Sequence, residues 1–213
     1  MTSTSNPSFN SNSAKIISYI FHPLLMPTYG MFLYFRIDHS ASYFVKFDLK
    51  VLLIIMTFVF TFILPLINSL FLLRSKFIKS LSMETKEERR LPLLMTAIFF
   101  SAEYWMLHDR AIPELLKFFL LNASLTIVFT LIINIFWKIS AHMVGIGGMC
   151  GAMFVLSYLI HYDNAAWLMI ILLLAGGIIG AARLQMKAHT PLEVFGGFIL
   201  GLGCPMMMFL LPS

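Results

Sequence analysis

Residues 51–73 read VLLIIMTFVFTFILPLINSLFLL, an unbroken run without a single formally charged side chain. A helix needs about 20 apolar residues to cross roughly 30 Å of hydrocarbon at about 1.5 Å per residue, so this stretch reads as a membrane span. Working outward from it, six further segments have comparable length and polarity: 16–36, 91–107, 118–136, 143–160, 164–182 and 194–211. Pro23, Pro27 and Gly30 predict a kinked or partly re-entrant first segment, and Glu103 interrupts the third. The expected fold is all-α, a polytopic membrane helical bundle of six or seven spans. Residues 1–14, rich in Ser and Asn, are expected to form a short flexible tail, with 15–213 as a single integral membrane domain. The tail lacks the basic start and cleavage pattern of a signal peptide, so the first segment is expected to stay in the mature protein.

Composition excludes the alternatives. Hydrophobic residues make up 59% of the chain and charged residues 12%, against roughly 45–50% apolar and about 25% charged in soluble domains. Twenty-one Phe exclude disorder and two cysteines exclude a disulfide scaffold. The net charge of +5 does not point to nucleic acid, because the basic residues cluster in short loops between apolar runs. The expected location is an integral one, in a bacterial inner (cytoplasmic) membrane.

The last three segments are rich in glycine. Gly147 and Gly151, Gly176 and Gly180, and Gly197 and Gly201 are each four apart, a spacing that lets helix backbones approach closely. These helices are expected to pack as the centre of the bundle and to carry the functional site at their ends. With seven spans, the loops 74–90, 137–142 and 183–193 share one face. They collect Arg74, Lys76, Lys79, Lys86, Arg89, Arg90, Lys138, Arg183 and Lys187, while Asp38, Asp48, Asp109, Glu114 and Asp163 lie opposite.

Two histidines stand at the entrances of glycine-rich helices, His142 and His189. A helix N-terminus offers unpaired N–H groups and a positive dipole end, and arginine forks suit phosphate oxygens, so the loops describe an anion pocket with two imidazoles beside it. Structural readings stand next to the chemical ones. Thr190-Pro191-Leu192-Glu193 reads as a capping box, with Thr190 as N-cap and Glu193 reaching back; Ser140 reads as the N-cap of the fifth helix. Glu103 reads as a carboxylate snorkelling to Arg110.

Arg183, five residues, His189, three residues and Glu193 resemble the third signature of the type 2 phosphatidic acid phosphatase superfamily, Ser-Arg, five residues, His, three residues, Asp. Ser140-Ala141-His142 looks like its second signature, Pro-Ser-Gly-His. Lys86-Glu87-Glu88-Arg89-Arg90-Leu91-Pro92 is loosely similar to the first, Lys, six residues, Arg-Pro. The resemblance covers roughly residues 86–211 and leaves the first two spans generic. Ala182 stands where the family has serine, Ile139 and Ala141 where it has Pro and Gly, and Glu193 where it has Asp. The pattern does not choose between Arg89 and Arg90.

What the resemblance implies is a membrane phosphatase hydrolysing a lipid phosphate or diphosphate through a phosphohistidine. His189 is the nucleophile, Glu193 orients it, and His142 serves as general acid and then base. Arg183, Lys86, Arg89 or Arg90, and Ser140 bind the phosphoryl oxygens. No metal or cofactor is expected; the expected partners are the lipid phosphate and membrane lipids, not nucleic acid. A lipid phosphotransferase on the same fold stays open as an alternative, as does a non-catalytic anionic-lipid binder or transporter. Sidedness stays open too: ten basic residues fall on the site's face and five opposite, but five of the ten belong in or beside the pocket itself.

Overall fold

Proline placement shapes the first two spans. In the computed structural model, which describes residues 11–210, α1 (Ser11–Ile20) ends before Pro23, one 3₁₀ turn covers Pro23–Leu25, and α2 (Met26–Ile37) resumes the helix. The residue before a proline is pushed out of the helical region, and His22 is accordingly extended, with φ −63° and ψ 134°. The short α3 (His39–Phe44) is capped by Asp38, whose Oδ1 accepts from the Ala41 N–H at 2.8 Å. Farther on, α4 (Phe47–Phe58) runs through a π turn at Val59–Ile63 into α5 (Leu64–Arg74). Pro65 has no N–H to continue the ladder, and the Leu64 N–H reaches back to the Val59 carbonyl, widening the turn. The remaining long helices are α6 (Lys86–Leu107), α7 (Glu114–Phe136), α8 (Ala141–Leu159), α9 (Ala165–Gln185) and α10 (Pro191–Leu210), and no strand occurs among the described residues. Residues 11–14, expected in the tail, form the first turn of α1; residues 1–10 lie outside the described residues.

Six helical stretches are long and apolar enough to cross a membrane: Asn12–Ile37, Phe47–Arg74, Glu114–Phe136, Ala141–Leu159, Ala165–Gln185 and Pro191–Leu210. The chain is an integral membrane protein on that count. Its outer surface carries side chains that only lipid accommodates in such number, among them Trp167, Ile171, Leu174 and Phe195. At 22 residues α6 is long enough, about 33 Å, but Lys86 to Arg90 and Glu103 keep it out of the six. It lies antiparallel on α7: the Asn134 amide donates to the Lys86 carbonyl at 2.8 Å, and a short loop joins the opposite ends. Glu103 does not snorkel to Arg110. It is buried and accepts a hydrogen bond from the Thr57 hydroxyl, because its position on α6 faces α4.

The hub is α8, whose central window is 67% buried against 22–39% for the other spans. It runs parallel to α10, with both helices starting side by side: the Ser140 N–H donates to the Glu193 carbonyl at 3.2 Å. Further in, a Cβ added to Gly201 would fall on the Val144 carbonyl and 2.6 Å from the Gly148 nitrogen, and one on Gly147 would fall on the Phe198 carbonyl. Backbone cannot yield as a flexible side chain does, so these two positions admit no side chain at this separation. By contrast, a Cβ on Gly177 meets nothing within 4 Å. Gly201→Val should therefore lower the thermal midpoint of the detergent-purified protein, by about 1–3 kcal/mol or more of overpacking. Gly177→Ala should leave it unchanged or raise it, since Ala gains up to about 1 kcal/mol over Gly in a helix. Equal midpoints for the two variants would contradict this packing.

Candidate functional site

At the start of α10, one carboxylate performs two tasks. The Glu193 N–H donates to the Thr190 hydroxyl and the Thr190 N–H donates to Glu193 Oε2, both at 3.3 Å, which closes a capping box. The same Oε2 accepts from His189 Nδ1 at 2.6 Å. The capping and orienting readings of Glu193 are thus simultaneous. With its Nδ1 proton committed, neutral His189 keeps a free lone pair on Nε2. Burial holds His189 below the ordinary histidine range, reinforced by Arg89 and Arg183; the bond to Glu193 pulls the other way without reversing the direction. The imidazole is therefore neutral at pH 7.

Beside it, α8 presents its own first turn. His142 Nε2 lies 3.1 Å from the Ser18 carbonyl oxygen, which can only accept, so that nitrogen carries the proton. Ser140 is fully buried at the N-cap position, but its hydroxyl makes no capping bond and has no hydrogen-bond partner among the described residues. Its N–H, through Glu193, ties the two histidine-bearing helix starts together.

Three cations surround the pair. Arg89 donates through Nε to the Met83 carbonyl at 2.8 Å and through Nη1 to the Ile139 carbonyl at 3.0 Å. Arg183 Nη1 donates to the Ser18 hydroxyl at 3.3 Å, while its buried Nε has no partner. Lys138 donates to the Ala188 carbonyl at 3.1 Å; partial burial first, then Arg89, push its ammonium below the ordinary lysine range. Among the described residues none of the three forms an ion pair; Lys117 pairs with Glu114, and the contacts of His108 with Asp109 and of His189 with Glu193 are ion pairs only when the ring is protonated. Main-chain carbonyls and the Ser18 hydroxyl fix these groups in place; Glu193 acts on Arg89 and Lys138, and Glu84 on Lys138, only through space, without an ion pair. Half-buried positive charge held this way favours an anion from outside the chain.

These groups line one cavity of about 1270 Å³, with Arg89, Lys138, His142, Arg183 and His189 at its polar end. Inward it continues between Phe62, Phe100, Phe119 and Met149. Ser140 and Glu193 stand directly behind its wall. Lys86 and Arg90 are elsewhere: Lys86 Nζ donates to the Phe136 carbonyl at 3.1 Å and Arg90 Nη2 to the Ile135 carbonyl at 3.4 Å. Both satisfy the last carbonyls of α7, a common task for cations at a helix C-terminus. Sequence reasoning passed over Lys138, His22 and Ser18 as site residues. Lys138 was readable, two positions before Ser140; Ser18 and His22 carry no local signal beyond an ionisable ring inside a span.

Comparison with family models, curated proteins and solved structures returned no match for this chain.

The lowered affinity of His189 for a proton is directly measurable. With ¹⁵N-histidine labelling and a His189→Gln control for assignment, His189 should be Nδ1-protonated at pH 7. It should titrate below the ordinary value of about 6.5. A midpoint at or above that value, or an Nε2-protonated ring at pH 7, would contradict the burial and the Glu193 bond.

Proposed function

We propose that the chain belongs with the type 2 phosphatidic acid phosphatase superfamily and hydrolyses a lipid phosphate or diphosphate in the membrane. The observation that carries this reading is the convergence of Arg89, Arg183 and Lys138, none of them in an ion pair, on a cavity that also holds a neutral His189 bonded to Glu193. An anion with several oxygens fits three cations better than a single carboxylate does, and a phosphoryl group has them. The apolar continuation of the cavity and the membrane spans around it suit a substrate whose remainder is lipid. Close packing of α8 on α10 keeps Ser140 and His142 beside His189 and Glu193, which supports a site carried at the glycine-packed helix ends.

In the proposed reaction, His189 Nε2 attacks phosphorus, a phosphorus–nitrogen bond forms, and the bond to the lipid oxygen breaks. His142, doubly protonated once the charged substrate lies beside it and displaces the Ser18 carbonyl, gives its Nε2 proton to that oxygen and becomes neutral, so the lipid leaves as an alcohol or a shorter phosphate. Water then attacks the phosphohistidine, His142 takes its proton, and inorganic phosphate departs. The Glu193 carboxylate holds the His189 tautomer throughout, as the third member of a triad does. Arg89, Arg183 and Lys138 stabilise the charge that spreads over the equatorial oxygens. The unpartnered Arg183 Nε provides spare hydrogen-bonding capacity beside the same oxygens, whereas the Ser140 hydroxyl is buried outside the cavity lining. Lys138 takes the part that the sequence pattern offered to Lys86, and Arg89 rather than Arg90 is the phosphate ligand.

Phosphate release from lipid phosphates by the detergent-purified protein, with chelator present, tests this. Wild type should turn over and orthovanadate should inhibit it. His189→Ala should lose at least about a thousandfold, the scale on which covalent catalysis fails without its nucleophile. Arg89→Gln should lose more than about tenfold, consistent with a charge-assisted contact to the phosphoryl group, while Arg90→Gln stays within about twofold. Full activity in His189→Ala would sink the reading, and equal losses in the two arginine variants would remove the assignment of Arg89.

A further inference from the structure

A third imidazole enters the cavity from the first span, where the helix is broken. Pro23 forces His22 out of the helix, and His22 Nδ1 accepts from the Leu24 N–H at 3.3 Å. An acceptor nitrogen bears no proton, so a neutral His22 carries its proton on Nε2. The bond at Nδ1 is the one hydrogen bond of the His22 ring among the described residues, and the ring lines the cavity. The His22 ring stands edge-on to His142, with centroids 5.7 Å apart and planes at 71°, and edge-on to Phe62 at 6.1 Å and 84°.

The position is built from both sides. Gly145, one turn into α8 from His142, has no side chain to fend off the break: a Cβ there would lie 2.9 Å from Met26 Cγ and 3.3 Å from Pro23 Cα. Phe62 comes from the π turn that Pro65 imposes on the second span. Irregular backbone at membrane depth is tolerated where it lines a cavity, and an ionisable side chain there points to function more than to packing. Pro23, the residue after His22, packs against Gly145, one turn into α8 from His142 and away from the helix start, so the chain at His22 leads from the polar end toward the apolar part of the cavity.

We propose that His22 is a substrate-contacting residue that donates its Nε2 hydrogen bond to the phosphate group on its lipid-facing side. The atom within reach there is the bridging oxygen that joins the transferred phosphorus to the leaving group, a place that an orthovanadate oxygen can take. This rests on the reading of the cavity as a phosphoryl site. It divides the work among three rings. His189 offers a lone pair, His142 a proton now held by Ser18, and His22 a proton that no protein group takes up.

Orthovanadate binding to the full-length, detergent-purified protein, measured by calorimetry, separates a donor from a packing role. His22→Phe keeps a ring against His142 and Phe62 without a donor. His22→Asn keeps an acceptor for the Leu24 N–H but does not reach as far as Nε2. His22→Gln places an N–H near the Nε2 position. Loss of one charge-assisted hydrogen bond should weaken orthovanadate by about tenfold in the Phe and Asn variants, with Gln within about threefold of wild type. If the Phe variant is not monodisperse, the Asn and Gln pair carries the same test. Wild-type affinity in Phe or Asn, or a Gln variant as weak as either, overturns the proposal. Hydrolysis with orthovanadate binding insensitive to His22 would remove this contact and leave the phosphatase reading standing. Donor-dependent binding without any phosphate release would do the reverse.

Discussion

The site depends on how closely α8 and α10 approach each other. Their parallel starts are joined by the Ser140 N–H on the Glu193 carbonyl, and their backbones touch where Gly147 and Gly201 leave room. That contact sets the distance between the two histidine-bearing turns. It also aligns two helix N-termini on one face, so the unpaired N–H groups and positive dipole ends act together. Moving either helix outward by the width of a methyl group would separate His142 from the His189–Glu193 pair. The glycines are therefore as much a condition of the proposed chemistry as the ionisable residues.

The same geometry gives the positive charge its meaning. A cation near a membrane surface is ordinarily an orientation signal. Arg89, Lys138 and Arg183 behave differently, because loop and α1 oxygens hold them in fixed positions around one cavity and, among the described residues, none of them forms an ion pair. Lys86 and Arg90 show the contrast within five residues of sequence: they cap the end of α7 and stay outside the cavity. Charge count alone could not separate the two groups. Which main-chain oxygen each side chain meets does separate them.

The spans were legible because charge-free runs of this length have one stable solvent, and six of the seven expected segments appear with bounds shifted by a few residues at most ends. The seventh segment is a long helix, but five charged residues at its start were needed to see why α6 differs from the rest. His189, Glu193, His142 and Arg183 were legible because they sit within short motifs whose spacing follows one helix turn. Ser18 and His22 were not, since they reach His142 and Arg183 across 120 residues of sequence or more. Their placement depends on the break that Pro23 and Pro27 announced and on the space above Gly145, which has no local signature of the partner it admits. The choice of Arg89 over Arg90 was illegible for a related reason: adjacent residues on a helix point about 100° apart, and only the packing of α6 on α7 decides which one faces inward.

The central claim is that His189 becomes covalently phosphorylated. Rapid acid-free quenching of the purified protein with a ³²P-labelled lipid phosphate, followed by peptide mapping, addresses it directly. The account predicts an acid-labile, base-stable phosphoryl group on the peptide bearing residue 189, formed before phosphate release and absent in His189→Gln. Phosphate release at the wild-type rate with no label on that peptide, or label on another residue, would contradict it.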